Sequence, residues 1–306
     1  MLYQRFAQSV RGKNGRAVWK TPGFQYGGGV VVVGGTMYYV SHLEKVELTG
    51  RRRFMNVSAR TETAAAEETY QAILQQYGNK MLPASHPHAK TVITVAKRLI
   101  QVSGLKGLDW EVHVIDSPEA NAFVIPGGKI FVFSGLLPVA KTPDGLASVL
   151  GHEIGHQVAR HTAEQMSMNP ISQVLTLGLT LVLAQVTGSG DLAMGLGRGI
   201  TTLALDNPYS RHMETEADYI GLRLMAQACY NPEEAKAVWM RMEAAAQGQV
   251  PQFLSTHPSN KSRIAYIESK MAEAKEIRAS SNCRASVDSF DSGMRELQKK
   301  QGYAKF

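Results

Sequence analysis

Apolar residues recur at the three- and four-residue spacing of an amphipathic helix in six segments of the chain. These segments cover residues 61–77, 87–102, 143–159, 213–225, 232–247 and 261–277. Between the second and the third, residues 110–115 alternate as a strand, and residues 123–133 predict a hairpin because Pro126-Gly127-Gly128 interrupts them. The pattern therefore predicts a mostly helical α+β domain over 61–278, with a small sheet beside the helix of residues 143–159.

The first apolar run is uncharged over 23 residues, 21–43, which is long enough to cross a bilayer as a helix. Tyr26, Tyr38 and Tyr39 suit the membrane interfaces, and the glycines of the run allow close helix contact in lipid. The alternative is a glycine-rich soluble β-segment, since valine and glycine favour a helix poorly in water. We expect a transmembrane anchor at 21–43 that is followed by a basic linker at 44–60.

A second uncharged run of 26 residues lies between Glu164 and Asp191, and it is richest in aliphatic residues at 170–186. Two interpretations stay open: insertion into the membrane, as a dip or a second span, and a buried or interfacial helix of the folded domain. The glycines at 188–190 and 195–199 predict a flexible loop. We do not interpret them as a nucleotide site, because no strand pattern precedes them.

The net charge of +7 arises in the first 60 residues, which hold ten lysines and arginines against Glu44 and Glu47. The rest of the 306 residues is nearly neutral, so no basic face follows the domain and no nucleic-acid partner is expected. Five basic residues and no acid within 1–20 are typical of a mitochondrial transit segment or a matrix-side basic flank. Residues 279–306 are expected to form a polar C-terminal tail.

The two cysteines, Cys229 and Cys283, lie 54 residues apart and form neither a C-x-x-C motif nor a paired framework. We expect two free thiols, although a disulfide between them is geometrically possible. Neither is expected to bind a metal.

The predicted helix of residues 143–159 carries a motif that is typical of a catalytic metal site. His152-Glu153-Ile154-Gly155-His156 is the H-E-x-x-H pattern of zinc proteases, and Thr142-Pro143-Asp144 supplies its helix start. Histidines at i and i+4 share one face and can bind one Zn²⁺, while Glu153 can reach a water on the open side of the metal. A hydrolytic zinc needs three protein ligands, an open position and a base. The alternative is an ordinary amphipathic helix whose histidines face solvent.

The third ligand is open from spacing alone. His161, His212 and His257 are candidates, and so is the acidic cluster Glu214-Thr215-Glu216-Ala217-Asp218. Within this cluster Glu214 and Asp218 share a helix face, which suits one ligand and one carboxylate that orients an imidazole, whereas Glu216 points elsewhere. The alternative is a solvated acidic face.

Four motifs in order resemble the HtpX and CAAX-prenyl-protease family of zinc metallopeptidases, which are gluzincins. They are His152–His156 with Arg160-His161, Ser210-Arg211 with the acidic cluster, Asn121-Ala122-Phe123 with 126–133, and Thr256-His257-Pro258-Ser259 with Arg263. The resemblance, over roughly 60–275, implies a zincin-like domain with one Zn²⁺ per chain. It implies that Glu214 is the third ligand, that Asp218 supports a zinc histidine, and that Asn121, Ala122 and Phe123 form the substrate-edge strand.

These motifs predict a metalloendopeptidase in which Glu153 takes a proton from water and passes it to the leaving amine. Peptide substrates would pair with the strand near 121–123. His257 or Arg211 could donate to the oxyanion, and His257 is preferred because Arg211 could instead pair with a nearby carboxylate.

Within the family, a single anchor on a basic leader is similar to the mitochondrial inner-membrane stress proteases whose activity overlaps the m-AAA protease. This similarity implies a domain facing the intermembrane space, a homo-oligomer, quality control of membrane proteins, and cleavage of membrane-anchored dynamin-like fusion GTPases. Two alternatives remain: a bacterial-type membrane protease of the family, and a non-enzymatic membrane-anchored binding protein that keeps a structural metal site. The intact Glu153 argues against the latter, because a structural site has no use for a free carboxylate.

Overall fold

The computed structural model describes residues 22–245, 252–257 and 261–283. The leader 1–20, most of the tail and the Pro258-Ser259 pair lie outside these residues. The helices are α1 (Pro22–Ser41), α2 (Ala59–Tyr77), α3 (Pro87–Val102), α4 (Leu137–Ala140), α5 (Pro143–Val158), α6 (His161–Thr187), α7 (Gly190–Thr201), α8 (Asn207–Gln227), α9 (Glu233–Ala245), α10 (Gln252–Thr256) and α11 (Lys261–Ser280). The strands are β1 (Leu43–Lys45), β2 (Arg52–Phe54), β3 (Glu111–Ile115), β4 (Ala122–Ile125) and β5 (Lys129–Phe133).

The chain divides into two compact units. Unit 1 comprises residues 1–58 and 163–212, and unit 2 comprises residues 59–162 and 213–306. The segment 163–212 of unit 1 is therefore inserted in the sequence between the two halves of unit 2. The mostly helical α+β prediction with small sheets is confirmed.

Unit 1 contains a buried polar cluster, here called the base cluster, formed by Arg51, Arg53, Glu164, Ser167 and Tyr209. The Glu164 carboxylate is fully buried and accepts two hydrogen bonds of 2.6 Å from Arg51 and one of 2.7 Å from the Tyr209 hydroxyl. Arg53 lies 3.6 Å from the same carboxylate. Ser167 accepts backbone N–H groups that follow β2. The cluster therefore ties the β1–β2 hairpin to the start of α6.

Beyond the base cluster, α6 and α7 form a helical hairpin with a turn at Gly188. The prediction of a flexible loop at 195–199 is wrong, because these residues lie within α7. Gly197 is buried against α6, where a Cβ atom would lie 2.7 Å from the Thr180 hydroxyl oxygen. Gly197 thus serves close helix packing, whereas a Cβ atom on Gly195 or Gly199 would meet nothing within 4 Å.

Most of the large aliphatic side chains of 170–186 are exposed and the others are half-buried, so the interpretation as a buried helix is wrong. Within the described part of the chain, one helical stretch, His161–Ala184, is long and apolar enough to cross a membrane. The predicted anchor forms α1, whose apolar part, Gly29–Ser41, is shorter. Insertion of α1 into a membrane stays a prediction.

The sheet of unit 2 has the order β3-β5-β4, with β3 parallel and β4 antiparallel to β5. Ile115, Ile125, Phe131 and Phe133 form a buried cluster on one face of the sheet, against which α2 packs Tyr70, Ile73 and Tyr77. In the described residues no strand pairs with the outer edge of β4. The predicted strand and hairpin are confirmed within two residues.

Helix α5 is almost entirely buried and begins as predicted. Thr142 accepts the Gly145 N–H at 3.0 Å as an N-cap, and Pro143 follows at the first helical position. Its backbone lies close to α8 in unit 2. A Cβ atom on Gly221 of α8 would lie 2.7 Å from the His152 backbone nitrogen, and one on Gly155 would lie 2.8 Å from the Ala217 carbonyl oxygen. Only glycine permits this approach.

The expectation of two free thiols is wrong, because Cys229 and Cys283 form a disulfide with their Cα atoms 5.4 Å apart. The fold of unit 2 brings the end of α8 next to the end of α11, a proximity that a spacing of 54 residues does not encode.

We expect Gly221→Ala to lower the midpoint of thermal unfolding by about 2–10 °C, because overpacking of a close contact typically costs about 1–3 kcal/mol. Gly107→Ala is the matched control, since its added Cβ meets nothing within 4 Å. Differential scanning calorimetry of both variants measures the effect. Equal midpoints would show that α5 and α8 can separate without cost.

Candidate metal centre

Helix α5 presents His152 and His156 on one side, with their Nε2 atoms 3.1 Å apart. Glu214 reaches the same point from α8, and its carboxylate oxygens lie 3.4 Å from His152 Nε2 and 3.5 Å from His156 Nε2. His257, which directly follows α10, brings Nδ1 to 3.1 Å from Glu214 and 3.3 Å from His152. The structure therefore brings together the three predicted ligands and His257.

The separations between these four donor groups fit a metal ion. All four donor atoms lie within 4.8 Å of one another. A tetrahedral ion with bonds of about 2.0–2.1 Å holds its ligand atoms about 3.3 Å apart, which is close to the 3.1–3.5 Å found here. Two or three imidazoles with one carboxylate are also a usual donor set for a metal of hydrolytic enzymes.

Each histidine of α5 is oriented by a further side chain. His152 directs Nδ1 to the Asp218 carboxylate at 2.9 Å, which leaves Nε2 facing the other donors. His156 directs Nδ1 to His161 Nδ1 at 2.8 Å, and His161 Nε2 lies 3.0 Å from Glu216. Glu216 thus turns away from Glu214, as its position on the helix predicts.

Sequence reasoning assigned no role to Arg263, although the residue ends the fourth motif. Its guanidinium is buried and donates two hydrogen bonds of 2.8 Å to Asp218, and it lies 2.9 Å from Glu214. It also stacks on the Trp239 ring at 4.1 Å. Arg263 therefore fixes both carboxylates of α8. The sequence signal for it was its place at the end of the fourth motif, six residues after His257.

The buried carboxylates create a negative field that attracts a cation. Burial by itself lowers the pKa of His152, but hydrogen bonds to Asp218 and Glu214 raise that pKa to about 9. Burial also raises the pKa of Glu214, yet hydrogen bonds to His152 and His257 bring it well below its usual range. A carboxylate that stays ionised beside imidazoles is suited to hold a positive ion.

Glu153 differs from its neighbours, because its Oε1 atom is buried and has no hydrogen-bond partner. The His257 Nε2 atom lies 3.4 Å from this oxygen. Burial raises the pKa of the Glu153 carboxyl, an effect that His257 and His152 partly offset. An unpartnered carboxylate oxygen beside a group of metal donors is in position to accept a proton from a water molecule.

The predicted substrate strand is β4, and it is an edge strand beside this centre. The Asn121 carbonyl accepts the Phe133 N–H at 2.9 Å and so faces β5. Because backbone groups alternate along an antiparallel strand, those of Ala122 and Val124 face the outer edge, and the Val124 backbone bonds to Glu153. The Ala122 side chain is fully buried, and Phe123 stacks on Phe131. The outer edge of β4 therefore presents backbone groups to a ligand rather than these side chains.

Arg211 lies on the first turns of α8, within unit 1, and is exposed. Its pairing with a carboxylate near the metal donors stays a prediction. His212 is likewise exposed and is not among the residues whose donors converge.

A buried H-E-x-x-H helix whose glutamate has one unpartnered carboxylate oxygen, together with a second glutamate from another helix, defines a metallopeptidase. The model of peptidase family M48 matches residues 62–271, about two thirds of the chain. The chain belongs to this family, which confirms the resemblance inferred from the four motifs.

Known relatives agree with this assignment. The chain is 44% identical over 285 residues to the mitochondrial metalloendopeptidase OMA1 of Schizosaccharomyces pombe, which covers 92% of this chain and 80% of the relative. It is 39% identical to OMA1 of Saccharomyces cerevisiae, over 82% of this chain and 75% of the relative. It is 27% identical over 56% of its length to the beta-barrel assembly-enhancing protease of Escherichia coli. The OMA1 relatives support a mitochondrial location.

We expect Glu214→Gln to lower the amount of bound metal strongly, because a neutral amide replaces the carboxylate among the converging donors. Glu216→Gln is the matched control, since it keeps a hydrogen-bonding group beside His161 and leaves the donors unchanged. Metal analysis of both purified full-length variants decides the question. Loss of metal from Glu216→Gln alone would contradict the assignment of Glu214.

Proposed function

We propose that this chain is a membrane-anchored zinc metalloendopeptidase that hydrolyses peptide bonds of membrane proteins. The observation that carries the proposal is the buried, unpartnered Oε1 atom of Glu153 beside four converging metal donors. A purely structural site would close around its metal and would have no use for this carboxylate. Membership in a metallopeptidase family supports the same conclusion.

In this proposal His152, His156 and Glu214 hold one Zn²⁺ per chain, and Asp218 and Arg263 keep the ligands in place. The donor set of nitrogen and carboxylate oxygen suits zinc, and the donor separations fit its tetrahedral geometry. When bound, zinc supplies Lewis acidity, which makes a water molecule more acidic and polarises the scissile carbonyl.

Glu153 accepts the proton of the attacking water and later delivers it to the leaving amine. Its raised pKa supports this role, because a carboxylate whose pKa lies closer to neutral is a stronger base toward the attacking water. The substrate runs as an extended chain along the outer edge of β4, where Ala122 offers its backbone groups and Val124 its carbonyl oxygen, since the Val124 backbone N–H bonds to Glu153. Pairing through the backbone gives affinity with a limited demand on sequence.

His257 can act either as a hydrogen-bond donor to the oxyanion or as a fourth metal ligand, and we favour the role of donor. Its Nε2 lies 3.4 Å from Glu153, so the ring is near the reacting groups and can donate a hydrogen bond to the carbonyl oxygen as that oxygen gains charge. Its Nδ1, however, belongs to the donor cluster, so the ring could instead occupy the fourth metal position. With His257 as a fourth ligand the metal site would be closed, as expected for a non-enzymatic protein that keeps a structural metal site.

The proposed cellular setting takes its support from the relatives and from α1. We infer a place in the mitochondrial inner membrane, anchored by residues 21–43, with the peptidase unit toward the intermembrane space. Stress-activated processing of a dynamin-like fusion GTPase and assembly into a homo-oligomer belong to this proposal. The mitochondrial OMA1 relatives support the mitochondrial location, and the exposed valines of α1 support the anchor. Full-length protein that carbonate releases from mitochondrial membranes would contradict the anchor.

We expect Glu153→Gln to retain fold and metal but to lose about 10²–10⁴-fold in turnover of a casein or peptide substrate, because an amide cannot accept the proton. Addition of a chelator to the wild-type protein should abolish activity, and zinc should restore it. Near wild-type proteolysis by Glu153→Gln would refute the proposed function.

We expect His257→Ala to lower kcat by about 10²–10³-fold with unchanged metal content, because a donor to the developing oxyanion is lost. Glu67→Ala, on the exposed surface of α2, is a control for purification and assay. Activity at or above the wild-type value would instead show that His257 occupies the open metal position.

A further inference from the structure

The hairpin of α6 and α7 is polar inside and aliphatic outside. The Thr176 hydroxyl donates to the Thr201 hydroxyl at 3.1 Å, and the Ser172 hydroxyl donates to Asp206 at 3.0 Å. Between these two contacts and the turn, Gly197 packs closely against Thr180. Small residues and hydroxyl hydrogen bonds are what hold helices together in a lipid environment.

The outer surface of the hairpin consists of large aliphatic side chains that are 41–70% exposed. They are Val174, Leu175, Leu177, Leu181, Val182 and Val186 on α6, and Leu192, Met194, Leu196 and Ile200 on α7. A hairpin that is stable in water shows the opposite arrangement, with aliphatic residues between the helices and polar residues outside. The described residues of this unit leave the surface uncovered.

The breadth of this surface favours lipid over a protein partner. At about 100° per residue, the exposed aliphatic side chains of α6 extend over roughly half of its circumference. An interface with another helix needs a narrower stripe, on the order of 100°. The uncharged run of 26 residues also continues to the turn of the hairpin. Insertion into lipid requires such a continuous uncharged segment, whereas binding in the groove of a protein partner does not.

The end of the hairpin opposite its turn, here called its foot, has the composition of a membrane interface. The base cluster lies at the start of α6, and the end of α1 contacts the same β1–β2 hairpin. Tyr39 of α1 stacks on Phe54 at 5.1 Å, and Asn56 donates to the Tyr38 hydroxyl. Arginines and tyrosines at the ends of two long uncharged runs are typical of the level of lipid headgroups.

We propose that the α6–α7 hairpin inserts its aliphatic surface into one leaflet of a lipid bilayer, as a second membrane contact besides α1. The return arm, residues 190–206, is about 25 Å long, which is less than the hydrocarbon core of about 30 Å. Arg198 lies midway along this arm and is exposed. An upright hairpin would hold Arg198 deep in hydrocarbon, whereas a tilted one lets Arg198 and Asp191 reach headgroups.

The test uses the full-length protein in phosphatidylcholine–cardiolipin vesicles and a polarity-sensitive fluorophore on single introduced cysteines. Leu177→Cys and Leu196→Cys report on the two arms, and Gln75→Cys on the exposed face of α2 is the matched control. Wild-type protein is the blank, since its two cysteines are paired. Cleavage of a water-soluble peptide, measured in parallel, shows that each variant is folded. This activity does not depend on insertion of the hairpin into lipid.

We expect blue-shifted emission and quenching by doxyl-labelled lipids at positions 177 and 196 but not at 75, with 5-doxyl a stronger quencher than 12-doxyl. Emission at 177 and 196 that matches position 75 would overturn the proposal. Efficient disulfide crosslinking between copies through Cys at 177, without lipid quenching, would also overturn it and would assign the surface to a subunit interface. Stronger quenching by 12-doxyl would refute insertion into a single leaflet.

Discussion

The candidate metal centre depends on the close approach of two helix backbones. Helix α5 carries His152 and His156, and α8 carries Glu214, so the donors can converge only if the two helices nearly touch. Gly155 and Gly221 make that distance possible, because any side chain at either position would meet backbone of the other helix. The geometry of the donors is therefore set by steric contact between main chains, which is stiffer than contact between side chains.

The same site concentrates buried ionisable groups at a cost to stability. Glu153, Glu214 and Asp218 are all almost fully buried, and a single guanidinium, that of Arg263, contacts two of them. Removing carboxylates from water is expensive, and replacement of buried ion pairs by apolar residues is often neutral or stabilising. Such a cluster is therefore better explained by chemistry than by folding, and Arg263, which stacks on Trp239, holds two of the three carboxylates in place.

Much of this arrangement was accessible from the sequence. Local signals predicted the start of α5 at Pro143, the helix of residues 87–102 and the strands on either side of Gly127, because capping, periodicity and turn residues act over short distances. The helical spacing also predicted that Glu216 turns away from Glu214. The Cys229–Cys283 pair, the contacts of Arg263 and the inclusion of 195–199 in a helix were missed, since each depends on residues that only the tertiary fold brings together.

The insertion of unit 1 within unit 2 has a consequence for the order of synthesis. His152 and His156 precede the 50 residues of 163–212, whereas Glu214, His257 and Arg263 follow them. During translation the donor set is therefore incomplete until all of unit 1 has been made, and the arginine that fixes its carboxylates comes later still. A nascent chain cannot assemble the centre early, so the topology of the chain by itself delays peptidase activity until the segments with exposed apolar surfaces are complete.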